Sequence, residues 1–196
     1  MRLILAALAV LLYWPTAHAA TFTLDKQHTE VRFSWDHLGL SRPSGKFTGV
    51  TGTVAFDPDR PEATSVDVSI PIAGLMTGVP ALDTLLKTTK DYFDVAAFPA
   101  ATFISNSVRL TGEKSAELIG DLTLNGISHP VTLAVVWNFL GPHPLGAINP
   151  TYQGKTAAGF SARTQILRSD WGLTRTIPLV SDEIRISIEA ELQKLE

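Results

Sequence analysis

Cysteine is absent from the 196-residue sequence. This absence excludes disulfide bonds, thiolate zinc sites, iron–sulfur clusters and cysteine nucleophiles. No apolar run reaches the roughly 18 residues that a membrane-spanning helix needs. Basic residues number 16 against 19 acidic ones, so no bulk positive charge attracts a nucleic-acid backbone. What is left is an ordinary globular composition, with 45% hydrophobic and 18% charged residues.

Catalytic motifs are also scarce. The patterns G-x-S-x-G, H-E-x-x-H, G-x-x-x-x-G-K-[ST] and G-x-G-x-x-G do not occur. Asp25, His28 and Ser34 are close in the chain, but alternating strand faces do not imply a hydrolase triad. The histidines beyond the N-terminus lack the i, i+2 or i, i+4 spacing of a compact metal site; they are His28, His37, His129 and His143. We predict no catalytic residue, no metal and no cofactor.

The N-terminus has the three parts of a secretory signal peptide. Arg2 supplies the positive charge, residues 3–14 form the apolar run, and Ala17-His18-Ala19 is the small-residue cleavage site. A buried N-terminal helix is the alternative, but the run is short and its flanks fit cleavage. We predict a signal peptide over residues 1–19, a single domain over residues 20–196, and export to the periplasm.

Alternation of apolar and polar residues dominates the remaining chain and predicts an all-β fold. Turn residues separate eight or nine such segments, which suits meander connections between antiparallel strands. Eight strands of this kind close into a barrel or stack as a sandwich. The alternation predicts that one set of side chains faces the interior: Val31, Phe33, Trp35, Val131, Leu133, Val135 and Trp137.

One segment, residues 74–99, breaks the alternation. Pro80 is suited to the first position of a short helix, and the leucines that follow share one helical face. Two interpretations are open, a plug that seals one end of the barrel and a lid over a cavity. Arg168-Ser169-Asp170-Trp171 forms a compact later turn, for which a structural role is weighed against contact with a ligand head group.

A series of short motifs resembles the YceI-like, polyisoprenoid-binding family. The series runs from about Phe22 to Leu192, and five motifs in the right order carry the resemblance where each alone is weak. The motifs are Asp25-x-x-His28-Thr29 with His37-x-Gly39-x-Ser41-x-x-x-Gly45-x-Phe47, Asp91-Tyr92-Phe93-Asp94 with Phe98-Pro99-x-x-x-Phe103, Gly120-Asp121-Leu122-Thr123-Leu124-Asn125-Gly126, Pro130-Val131-Thr132-Leu133, and Gly159-Phe160 with Arg168-Ser169-Asp170-Trp171-Gly172-Leu173.

The resemblance implies an extended, eight-stranded, antiparallel barrel of lipocalin type with a short helical lid, located in the periplasm. It also implies a ligand with a long isoprenoid or quinone-like chain. Partners compatible with it are a transiently bound cytochrome b561-type protein of the inner membrane and a second copy of the chain. This sequence departs from the family pattern at Leu82 and Leu85, where many relatives have an arginine and a histidine. Any head-group contact that the arginine or the histidine makes in those relatives is therefore absent here.

We therefore expect a binding protein and not an enzyme, because a long apolar tail can be held without ionic groups. A forty-carbon tail would bury on the order of 700 Å², worth roughly 17 kcal/mol gross before ordering costs. The alternatives are a stress-related periplasmic enzyme acting on small amphiphiles and a structural barrel filled by its own aromatic side chains. The predicted ligand-contacting residues are Phe33, Trp35, His37, Phe47, Phe56, Leu82, Leu85, Leu86, Tyr92, Phe93, Leu133, Val135, Trp137 and Phe160.

Overall fold

The computed structural model describes residues 19–195, so all of the predicted signal peptide except Ala19 lies outside the described residues. The described chain is an antiparallel β-sheet closed into a barrel, with one α-helix outside the strands. The strands that occupy one barrel position each are β7 (Ala100–Gly112), β8 (Ser115–Leu124), β9 (Ile127–Pro142), β10 (Thr156–Leu167) and β11 (Glu183–Lys194).

Three further barrel positions are each built from two short strands with an interruption between them. In the first position, β1 (Ala20–Leu24) and β2 (Glu30–Ser34) both pair with β11. Their partners on the next position are β4 (Thr51–Phe56) and β3 (Ser44–Phe47), and those pair in turn with β5 (Ser65–Pro71) and β6 (Leu75–Met76). The sequence therefore predicted the eight-stranded barrel correctly, but it did not show these three interruptions.

The up-and-down order gives the barrel two distinct ends. We call one end the mouth; it holds the β4–β5 connection (57–64), the β7–β8 turn (113–114) and the β9–β10 loop (143–155). The other end, called the base, holds the loop at 35–43, the segment at 77–99 and the loop at 168–182. At the base, Asn125 and Gly126 form the β8–β9 turn with φ of 50° and 74°, as two-residue hairpins with an Asn-Gly sequence require.

Burial follows the alternation that predicted the strands. Val131 and Leu133 of β9 are buried, whereas Thr132 and Ala134, which alternate with them, are exposed. Because side chains in a strand point alternately to the two faces, this register turns the apolar set of every strand inward. No helix within residues 19–195 is long and apolar enough to cross a membrane.

The base is closed by the residues between β6 and β7 together with the loop after β10. Helix α1 (Pro80–Thr88) begins at Pro80, as predicted, and Asp83 accepts hydrogen bonds from the backbone N–H and hydroxyl of Thr77, both 2.6 Å. Phe93 packs edge-on against Phe47, with 5.6 Å between ring centroids. Trp171 is only 2% exposed, and its indole N–H donates to the Leu122 carbonyl at 3.1 Å. Trp171 is thus a plug of the barrel base.

Arg168 holds the loop at 168–182 in place from inside. It is 7% exposed, and its guanidinium donates to the carbonyl oxygens of Ser181 (2.9 Å), Val180 (3.0 Å) and Leu173. Burial lowers the pKa of Arg168, and the nearby Asp182 carboxylate opposes that shift. A buried guanidinium has five donors to satisfy, so this loop conformation is tied to the presence of arginine.

The interruption between β1 and β2 places Asp25 and His28 together on the outer surface. His28 Nδ1 lies 3.0 Å from Asp25 Oδ2 and 3.8 Å from Glu191 Oε2 of β11. The hydrogen bond and charge of Asp25 raise the pKa of His28. Burial acts to raise the pKa of Asp25, but the hydrogen bonds from His28 and from the Gln27 N–H outweigh it and the net shift is downward.

Replacing Arg168 by methionine is expected to destabilise the fold by about 3 kcal/mol, because one buried and two part-buried carbonyl groups lose their donors. Urea unfolding measures the change. Arg163→Met is the matched control, since Arg163 is exposed on β10 and its loss should cost less than about 0.5 kcal/mol. Equal stabilities for the two variants would contradict the structural role of Arg168.

The Asp25–His28 pair should make stability depend on pH. A raised His28 pKa means that its stabilisation is complete below about pH 6.5 and disappears as pH rises through the folded-state pKa. The lowered Asp25 pKa means that its stabilisation is present above about pH 3.9 and disappears as pH falls through the folded-state pKa. The exposed pair is worth less than about 1 kcal/mol.

Urea unfolding of the wild type and of His28→Gln at several pH values tests this dependence. The stability difference between them should be largest near pH 5 and should shrink as the solution becomes alkaline. Asp25→Asn, which removes the partner, should abolish the same pH-dependent difference. A difference that is constant across this range would show that the pair does not act.

Candidate ligand-binding cavity

The barrel interior encloses a cavity of about 210 Å³ with an almost wholly apolar wall. The wall is built by the inward side chains of all eight barrel positions and by two of the three connections at the mouth. At the mouth it includes Pro61, Thr64, Leu110, Glu113, Lys114 and Ser115. In the middle of the barrel it includes Val54, Val68, Phe103, Leu118, Val131, Leu133, Val135, Ala162, Ile186, Ile188 and Leu192. The cavity therefore extends from the mouth into the barrel and not from the base.

Three aromatic side chains form a collar near the mouth. The ring of Phe56 stands edge-on to Trp137 at 5.2 Å and edge-on to Phe160 at 5.3 Å between centroids. Lys114 lies over the Trp137 ring, with its Nζ 5.5 Å from the centroid, and the Lys114 carbonyl accepts the Trp137 backbone N–H at 2.8 Å. We call Phe56, Trp137 and Phe160 the collar. It narrows the barrel between the mouth and the aliphatic interior.

The cavity wall offers few polar groups. Its hydroxyl groups belong to Thr29, Thr64, Ser115 and Thr164, and the charged side chains among its described residues are Glu113 and Lys114. Thr29 donates to the Glu191 carbonyl at 3.2 Å, and Thr64 donates to the Pro61 carbonyl at 2.7 Å. A wall of this kind favours an apolar chain and contributes no group with the arrangement of a nucleophile and its base.

Five of the predicted ligand-contacting residues line the cavity: Phe56, Leu133, Val135, Trp137 and Phe160. Three others form an aromatic cluster outside it, where Phe33 stacks on Trp35 at 5.7 Å and packs against Phe47 at 5.3 Å. His37 is exposed in the loop at 35–43, where it bridges to Ser41 and Val180. Contact of any of these residues with a ligand stays a prediction.

The remaining five predicted residues belong to the segment at the base and do not line the cavity: Leu82, Leu85, Leu86, Tyr92 and Phe93. Leu86 and Phe93 pack against the core. Of the two interpretations that the sequence left open, this placement favours the plug, because the segment lies at the opposite end from the mouth. Apolar composition identified the segment as a cover, but it could not indicate which end of the barrel is covered.

The residues of the mouth were not anticipated as part of a site. Glu113, Lys114 and Ser115 belong to a tight turn, and a short polar turn has no pattern that separates a cavity rim from an ordinary hairpin. Ile186 and Ile188 had a usable signal, since they fall on the apolar face of the alternating run 184–192. A prediction from alternation alone would have included them.

One surface cluster has the chemistry of a metal site. Ligand atoms of Asp25, His28 and Glu191 all lie within 4.8 Å of one another, and Glu191 comes from a strand far along the chain. Sequence spacing could not have identified this convergence. The cluster already forms a hydrogen-bonded array, in which the Gln193 side chain also donates to Asp25 at 3.5 Å.

Ser34, the third residue of the hydrolase triad considered from the sequence, lies on β2, where it pairs with Arg185 of β11 and Ser44 of β3.

Known proteins match this chain over most of its length. The family model described as a YceI-like domain matches residues 22–192. A UPF0312 protein of Pseudomonas savastanoi pv. phaseolicola is 37% identical over 174 residues, which is 86% of each chain. A UPF0312 protein of Pseudomonas fluorescens is 35% identical and covers 97% of each chain.

Solved structures share the fold. Burkholderia cenocepacia BcnA superposes with a TM-score of 0.74 at 22% identity, covering 86% of this chain and 98% of its own. The Campylobacter jejuni YceI protein gives a TM-score of 0.68 at 27% identity, with 82% and 90% covered. A domain from Saccharophagus degradans, described as polyisoprenoid binding, gives 0.66 at 12% identity, with 90% and 99% covered. Together with the family match over residues 22–192, these likenesses establish that the chain belongs to the YceI-like family.

Proposed function

We propose that this protein is a periplasmic carrier that binds the chain of an isoprenoid or similar amphiphilic lipid inside its barrel and performs no catalysis. The observation that carries the proposal is the apolar cavity, which opens at the mouth and is walled by aliphatic and aromatic side chains. Transfer of apolar surface from water to such a wall is the dominant source of affinity for a lipid chain. In an aqueous compartment between membranes, a carrier of this kind shields a chain that is nearly insoluble.

Two further observations support the proposal. The fold is shared with a Saccharophagus degradans domain described as polyisoprenoid binding. Arg2, the apolar run at 3–14 and Ala17-His18-Ala19 are typical of a chain exported to the periplasm. The proposal extends to transfer of the lipid to or from an inner-membrane protein of the cytochrome b561 type, and a homodimer is compatible with it.

The size of the cavity limits which chains fit the barrel in this conformation. Pockets for drug-sized ligands span about 300–1,000 Å³, and this cavity encloses about 210 Å³. A forty-carbon tail therefore needs the collar side chains to move outward or needs part of the tail to remain outside. We expect affinity to rise from geraniol to farnesol and geranylgeraniol and to level off before solanesol.

Filling the cavity should weaken binding. Ala162 of β10 is buried and lines the cavity, whereas Ala134, next to its neighbour Val135 on β9, is exposed on the outer face. Ala162→Phe should lower the affinity for farnesol by roughly tenfold or more, since a few displaced methylene contacts are worth about 1–3 kcal/mol. Ala134→Phe adds the same ring to the outside and should change the affinity little. Calorimetric titration of the delipidated mature protein measures both.

Ala116→Phe repeats the test near the mouth in case Ala162→Phe does not fold, because Ala116 also lines the cavity. Farnesol that binds equally well to the two filled variants and to Ala134→Phe would place the ligand outside the barrel. A folded, delipidated wild type that binds none of the four alcohols at micromolar concentration would overturn the proposed function in favour of a filled barrel.

Export is tested separately. Protein isolated from the periplasm of a Gram-negative host should begin at Ala20, because cleavage after Ala19 follows the small-residue rule. N-terminal sequencing or intact mass decides the matter. Soluble protein that retains Met1 and the apolar run would contradict export through a cleaved signal peptide.

A further inference from the structure

The collar contains a hydrogen-bond donor without an acceptor. Among the described residues, two buried side-chain polar atoms have no hydrogen-bond partner, namely Asn125 Oδ1 at the base and Trp137 Nε1 at the collar. Leaving a buried N–H unpaired is costly, because the group loses its hydrogen bonds to water and gains none in the protein. The Trp137 indole carries this cost inside the cavity wall, where a phenylalanine would fill space without it.

The contrast with Trp171 shows that the fold is able to satisfy an indole when its role is only to fill space. Trp171 plugs the base and donates to the Leu122 carbonyl at 3.1 Å. Trp137 packs against Phe56 and beneath Lys114, and neither neighbour supplies an acceptor to its indole N–H. Buried tryptophan normally finds a partner for its N–H, so the missing acceptor points to a ligand.

The hydroxyl groups of the same wall differ from Trp137 in this respect. Thr29, Thr64 and Thr164 donate to backbone carbonyls, and Ser115 Oγ accepts from the Thr111 hydroxyl at 3.0 Å. These hydroxyl groups all have partners in the protein. Among the described residues of the wall, the Trp137 indole N–H is therefore a buried donor without a partner, and it is left for a bound molecule.

The charges at the mouth restrict the kind of acceptor. Glu113 and Lys114 are adjacent in the β7–β8 turn, both are exposed, and both line the opening. Among the residues that line the cavity, this one cation lies beside this one anion, so an anionic head group gains little net Coulomb attraction from the cavity wall. An uncharged oxygen acceptor needs no such attraction, and it suits an indole donor in an apolar wall.

We propose that Trp137 selects ligands by donating its indole N–H to an uncharged oxygen acceptor, such as a carbonyl, in the head group of a lipid whose tail lies in the barrel. The inference rests on the proposed function, because it assigns the orientation of a lipid, head group and tail, in the same cavity. The head group lies at the mouth, level with the collar, and the apolar tail runs toward Trp171 at the base. The collar side chains shift to admit the head group.

Trp137→Phe tests the assignment, because it keeps an aromatic ring in the collar and removes the N–H together with part of the indole ring, and the hydrocarbon probe reports the loss of packing alone. The first probe is farnesylacetone, an isoprenoid methyl ketone. The second probe is a hydrocarbon, saturated or unsaturated, that has the same carbon skeleton and lacks the oxygen. Calorimetric titration of the mature wild type should show tighter binding of the ketone. Trp137→Phe should lower ketone affinity about tenfold and leave hydrocarbon affinity within about twofold.

Phe160→Leu is the matched control within the collar. It removes ring contacts and no donor, so it should weaken the ketone and the hydrocarbon by the same factor. A Trp137→Phe variant that weakens both probes equally would reduce Trp137 to a packing residue and overturn the inference, while binding itself would still support the proposed function. Failure of the wild type to bind either probe would instead overturn the proposed function.

Nuclear magnetic resonance on the wild type keeps the test decisive if Trp137→Phe does not fold. The indole N–H resonance of Trp137 should move downfield when farnesylacetone binds and should move little with the hydrocarbon, since only the ketone supplies an acceptor. An unchanged resonance in the presence of saturating ketone would overturn the assignment.

Farnesyl phosphate separates an uncharged acceptor from an anionic one. It should bind no more tightly than the ketone, and Lys114→Met should alter its affinity by less than about threefold, in line with the small value of an exposed charge pair. Much tighter binding of the phosphate, lost in Lys114→Met, would show that the mouth selects anions and would overturn the uncharged head group.

Discussion

Closure of the sheet on itself is the constraint on which the rest of this molecule depends. β11 pairs with β1 near the mouth and with β2 toward the base, so the first and last strands complete the ring of backbone hydrogen bonds. Closure pairs both sides of the long strands and commits every inward side chain to one shared space. Whether that space is a packed core or a binding cavity is then decided by the size of the inward side chains.

Small inward residues keep the middle of the barrel open, and large ones close its ends. Ala116, Ala162 and Ala190 line the cavity at positions where leucine or phenylalanine would fill it. At the base, Trp171 and the edge-on pair of Phe47 and Phe93 block the barrel. The same apolar residues therefore stabilise the fold and shape the cavity. The collar residues do both, because their rings pack against one another and also line the cavity.

Period-two alternation was sufficient to predict antiparallel strands and their inward faces, because it reports directly which side of a strand is dry. The choice of a barrel over a sandwich came from the resemblance to the YceI-like family. Val131, Leu133 and Val135 could be assigned to the interior from the alternation alone. The same reasoning overextended the strand at Trp35, which lies beyond the end of β2 and stacks on Phe33 outside the cavity. Alternation also carries no information on which end of the barrel is open. The segment that contains Leu86 was therefore identified as a cover, but the end that it covers was not predicted. Lys114 was not predicted to line the opening. Glu191 lies close to His28 because of the register in which the strands pair, and alternation did not predict that register either.

The central claim is that an apolar chain lies inside the barrel with its oxygen at the collar. A crystal structure of the mature protein with farnesylacetone tests it most directly. The account predicts continuous ligand density along the aliphatic interior, with the ketone oxygen within hydrogen-bond distance of Trp137 Nε1, about 2.7–3.2 Å. Density confined to the outer wall or the base, with the interior filled by the collar rings, would contradict it.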